Sequence, residues 1–120
     1  MEKQHNRGQD GAGVASIKLD VQPGYRYFEK LRSVDRQPIE DIFQKISKKY
    51  KALLKENPGK TNDATWIKEH FDFAGEVLMG HLRYATHGEY GLQNCHPVIR
   101  QNNWRSRTLA LAGNFNMTNV

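Results

Sequence analysis

The spacing of apolar and polar positions divides the chain into a short series of strands and helices. Val14 to Leu19 reads as a strand behind a glycine-dense turn, and Tyr25 to Val34 reads as the second arm of a hairpin across Pro23-Gly24. Ile39, Ile42, Phe43, Ile46, Tyr50, Leu53 and Leu54 then recur at helical spacing. The spacing predicts a helix from Pro38, a residue suited to a first helical turn, to about Glu56, before Asn57-Pro58-Gly59 stops it. This amphipathic helix is most simply a packing element. A shorter helix, about Ala64 to Phe71, leads into the apolar run Val77-Leu78-Met79 with Leu82, predicted to be a buried central strand. The last strand covers Thr108 to Ala112 and runs into Gly113-Asn114-Phe115-Asn116-Met117-Thr118-Asn119.

The chemistry concentrates where the central strand ends. Side chains alternate in an extended chain, so Val77, Met79, His81 and Arg83 share one face and Leu78, Gly80, Leu82 and Tyr84 the other. Arg83 thus ends a mostly apolar face, with Thr86 and His87 just beyond it and Gly88 opening a loop. A guanidinium at the rim of a core calls for a carboxylate or phosphate in two-point contact, from an internal ion pair or from a ligand. At the end of the last strand, the asparagine amides and free backbone N–H groups suit either an oxyanion or the cap of a following helix.

Composition narrows the alternatives. The 120 residues allow one domain at most, and 38% hydrophobic with 26% charged residues describes a globular chain. The net charge of +5 permits nucleic-acid binding, but Lys45, Lys48, Lys49, Lys51, Lys55 and Lys60 lie on and after one helix, interleaved with Glu40, Asp41 and Glu56. That distribution describes a solvated helix face without an aromatic stacking set, so no nucleic-acid partner is expected. No apolar run reaches membrane-spanning length and the first residues lack a signal peptide's apolar core, so no membrane partner and a cytoplasmic location are expected. The single cysteine, Cys95, excludes an internal disulfide framework and is expected to be a buried structural thiol. His81, His87 and His96 lack the companion cysteines of a structural zinc site, and neither metal nor cofactor is expected in this segment. The glycines of Gly8 to Gly13 run G-x-x-G-x-G before a strand, the wrong order and context for a dinucleotide loop.

Four motifs in order carry a resemblance: Arg7-Gly8-Gln9-Asp10-Gly11-Ala12-Gly13, Gly80-His81-Leu82-Arg83-Tyr84-Ala85-Thr86-His87-Gly88, Asn94-x-x-Pro97, and Gly113 to Asn119. They resemble the successive motifs of class II glutamine amidotransferase domains. Within that class, the opening Gln4-His5-x-Arg7-Gly8-Gln9-Asp10-Gly11-Ala12-Gly13 resembles the amidophosphoribosyltransferase branch of purine synthesis. The resemblance implies an α+β, four-layer αββα N-terminal nucleophile hydrolase fold with antiparallel sheets, here partial, with residues 1–120 an incomplete glutaminase domain. It implies release of ammonia from glutamine and its transfer to an acceptor, phosphoribosyl pyrophosphate, on a phosphoribosyltransferase synthase domain of the full-length chain. By matching position, Arg83 would bind the glutamine α-carboxylate, with Thr86 and His87 beside it. Asn114, through its amide, and the backbone N–H of Phe115 would form the oxyanion hole, and Arg7 and Gly8 would support the nucleophile's pocket.

The chain departs from the pattern in three places. The family's nucleophile is an N-terminal cysteine whose own α-amine acts as base, whereas residue 1 here is Met and residue 2 Glu. Cys95, internal and without an adjacent α-amine, cannot take over that role. Asn6 is an extra residue before Arg7, and Phe115 stands at a usual glycine, keeping the backbone donor but narrowing the pocket. The expectation is therefore a fragment of a longer amidotransferase, inactive alone, and either poorly stable or self-associating through an exposed sheet edge as a homo-oligomer. The alternative is a non-catalytic module that binds an amino acid in the same pocket.

Overall fold

A computed structural model describes residue 1 and residues 10–84 and 91–114. Its elements are β1 (Gly11–Ile17), β2 (Phe28–Ser33), α1 (Pro38–Glu56), α2 (Ala64–His70), β3 (Val77–Arg83), β4 (Val98–Arg100) and β5 (Leu109–Leu111). The first three strands form an antiparallel sheet in the order β2-β1-β3, and β4 and β5 pair as a separate antiparallel ribbon. The protein is thus α+β with antiparallel sheets, as expected.

Register assigns the two faces of the larger sheet. Val14 pairs with Leu31 on one side, and Ala12 with Leu82 on the other, so these residues share a face. That face meets α1: Ala12, Val14, Ile42 and Phe73 form the buried core, with Leu31, Ile39, Ile46, Phe71 and Leu82 packed around them. Ile42 is fully buried, a contribution of about 2 kcal/mol from its side chain. Asp41 fixes the helix to the sheet, accepting hydrogen bonds from the Ser33 hydroxyl of β2 and from Lys45 one turn on. Asp63 caps α2 by accepting from the Trp66 N–H at 2.9 Å.

Gly13 pairs with His81 and Gly11 with Arg83 on the opposite face. Here the segment Cys95-His96-Pro97 lies directly on β1. A Cβ placed on Gly13 would fall 1.8 Å from the His96 carbonyl oxygen, and one on Gly11 would fall 2.6 Å from Cys95 Sγ. The glycines of this strand serve close approach of a second backbone. Arg32 of β2 holds that segment by donating to the Cys95 carbonyl at 3.0 Å.

Three expectations need correction. The central strand is β1; β3 is an edge of the sheet among the described residues, and its first residues Val77 and Leu78 are 42% and 64% exposed. β1 pairs with β2 on one edge and with β3 on the other, and its small Gly11, Ala12 and Gly13 leave room for α1 on one face and the Cys95-His96-Pro97 segment on the other. Phe43 is 47% exposed, because at 100° per residue it falls beside the stripe Ile39, Ile42 and Ile46. β1 also starts at Gly11, three residues before the predicted strand, since pairing to β3 overrides the low strand propensity of glycine.

Candidate active site

β3 delivers Arg83 to the rim of the sheet as predicted. Its side chain is buried, its Nη1 donates to the Gly91 carbonyl at 3.3 Å, and its own carbonyl accepts from the Asp10 N–H at 3.3 Å. The second bond ties the end of β3 to the residue preceding β1. Two residues earlier on the same face, His81 meets the ring of His96 with centroids 4.6 Å apart and planes tilted by 49°. His96 Nδ1 in turn accepts from the Gly113 N–H at 3.2 Å.

That chain of contacts draws together three segments distant in sequence. The imidazole pair links β3, two residues before Arg83, to the glycine face of β1 and to Gly113, the residue before Asn114. Asn114 is exposed at this end. Burial, then the neighbouring His96, and also Arg83, disfavour a charged His81, while a backbone hydrogen bond with Gly113 acts in the opposite sense. His81 Nδ1 is buried without a hydrogen-bond partner, which fits a neutral ring carrying its proton on the other nitrogen.

Of the residues predicted from sequence, Arg83 and Asn114 are brought to one region. Arg7, Gly8, Thr86, His87 and Phe115 lie outside the described residues. Cys95 is fully buried with its thiol 3.9 Å from the Ser33 carbonyl, a structural position as expected. From sequence, His81 and His96 present themselves only as zinc ligands without companion cysteines. The alternation that puts His81 on the face of Arg83 marks His81 alone; no sequence signal marks His96, which reaches β1 through the close approach at Gly13. Among the described residues no group of three or more His, Cys, Asp or Glu is arranged to hold a metal ion, and no helix is long and apolar enough to cross a membrane.

Comparison with curated proteins yields no match, and comparison with solved structures yields none either. A family model described as class II glutamine amidotransferases matches residues 41–120. The match runs from α1 to the last residue and takes in Arg83, the His96 segment and Gly113-Asn114, the same residues that meet around the imidazole pair. The chain belongs to the class II glutamine amidotransferases.

Proposed function

We propose that the full-length protein releases ammonia from glutamine and transfers it to phosphoribosyl pyrophosphate. Family membership supports glutamine-dependent amido transfer in general. The acceptor reading rests on the opening Gln4 to Gly13, which precedes the matched residues. Arg83 takes the α-carboxylate of glutamine, Thr86 and His87 line the same subsite, and Arg7 and Gly8 shape the nucleophile's pocket. The Asn114 side-chain amide and the Phe115 N–H stabilise the oxyanion that forms on the substrate's amide oxygen.

The observation that supports this reading is the contact chain from His81, two residues before Arg83, through His96 to Gly113, the residue before Asn114. A carboxylate-binding cation and an amide donor at one rim suit an α-amino acid with a side-chain amide. The test is glutamate and ammonia release from glutamine by the full-length protein, repeated with phosphoribosyl pyrophosphate present. Acceptor-stimulated hydrolysis supports the complete proposal. Hydrolysis indifferent to that acceptor keeps the glutaminase and removes the acceptor assignment. Glutamine binding by calorimetry without turnover would instead favour the amino-acid-binding module.

A further inference from the structure

The imidazole pair lies between the two predicted halves of the site, and neither ring has a role in the proposed reaction. His96 is held from below by β1, where the bare Gly13 lets the His96 backbone lie against the strand. It is held laterally by Arg32, whose Nη1 grips the preceding Cys95 carbonyl at 3.0 Å. Its ring then leans on His81, the cross-strand partner of that same Gly13. So constrained, Nδ1 accepts the Gly113 N–H at 3.2 Å. Gly113 is the residue immediately before Asn114.

We propose that His96 is a positioning residue that sets the Asn114 amide by accepting the Gly113 N–H through an unprotonated Nδ1. The proposal rests on the reading of Asn114 as an oxyanion donor. A ring nitrogen can accept only when it carries no proton, so the bond requires the neutral ring with hydrogen on Nε2. Around it, the His81 ring from β3 packs against the imidazole and β1 offers only Gly13 beneath it, while the cations Arg83 on β3 and Arg32 on β2 donate to the Gly91 and Cys95 carbonyls. The bond therefore fixes the approach of the chain to Asn114 at the one place where β5 has already ended. An oxyanion donor acts through its preset direction, so loosening its anchor lowers kcat and leaves ground-state glutamine binding at Arg83 in place.

The experiment compares the full-length wild type with His96→Leu and His96→Asn. Asparagine keeps an acceptor oxygen near the position of Nδ1, and leucine fills similar space without one. His96→Leu is expected to lower kcat for glutamine hydrolysis roughly 10- to 100-fold, less than the loss typical of deleting a donor outright, with KM within about threefold by the same argument. His96→Asn is expected to restore most of the rate. Equal kcat for the leucine variant and wild type, or equal losses in the leucine and asparagine variants, would overturn the proposal. Nitrogen NMR of the wild type gives an answer that survives any folding failure of the leucine variant. An unprotonated Nδ1 at neutral pH is expected, and a protonated one overturns the proposal. A wild type that binds no glutamine and hydrolyses none sinks the functional reading itself, an outcome separate from an active wild type indifferent to His96.

Discussion

Arg83 serves the fold through both its backbone and its guanidinium, and the proposed function gives the guanidinium a ligand. Its backbone closes the sheet through Asp10, and its guanidinium faces the rim where β3 ends. Arg83→Ala is expected to raise the glutamine KM of the full-length enzyme about 10-fold or more, the worth of a charge-assisted contact. kcat should change less, and Arg83→Lys should restore little because an ammonium lacks the planar fork. Initial-rate kinetics over a range of glutamine concentrations decide this. Glu76 offers a separate acid-sensitive contact. It binds Lys68 of α2 and accepts from the Leu19 N–H at 2.9 Å, and these bonds lower its pKa from 4.5 to about 2. A carboxylate with a lowered pKa in the folded state contributes stability that is present above pH 4.5 and is lost as pH falls toward about 2. Glu76→Gln should be less stable than wild type near neutrality, with stability that varies less across that acid window in denaturant titrations. His81 adds a second window with the same sign. Its charged form is disfavoured in the fold, so stability should fall as pH drops below 6.5, and His81→Phe should blunt that loss.

Among the elements, β1 makes the sharpest claim. An added methyl on Gly13 would strike the His96 backbone, which cannot swing aside as a side-chain tip can. Gly13→Ala is expected to cost about 1–3 kcal/mol in urea unfolding, the range for overpacking. Gly59→Ala, where a Cβ meets nothing within 4 Å, should stay within about 0.5 kcal/mol of wild type, as open surface sites do. The elements themselves were largely legible. Pro38 and Asn57-Pro58-Gly59 bracket α1 as the turn chemistry requires, and the apolar run at Val77 begins β3 at the predicted residue. The role of the Gly11-x-Gly13 spacing was not legible, because a glycine chosen for close approach carries no mark of what approaches. The partner, His96, lies more than eighty residues away. The site shared that fate. Arg83 and Asn114 could be named by motif, but the two imidazoles joining their segments become visible only through tertiary contact.

At the scale of the whole molecule, one side of the three-stranded sheet is covered by α1 and the other by the Cys95-His96-Pro97 segment, while β3, an edge among the described residues, carries exposed Val77 and Leu78. An apolar strand edge is a template for pairing with another chain. The 120-residue chain is therefore expected to show concentration-dependent association in sedimentation, and Leu78→Lys should reduce it. Unchanged monomer at all concentrations would count against this edge as the contact. The central place of β1 also has a consequence for synthesis on the ribosome. β1, β2 and α1 can assemble soon after they emerge, yet the other edge of β1 waits for Arg83, roughly seventy residues behind Gly11. At a typical 5–20 residues per second that is on the order of several seconds. A nascent chain paused before Val77 would thus hold an open strand beside a finished hairpin, a state suited to a ribosome-bound chaperone.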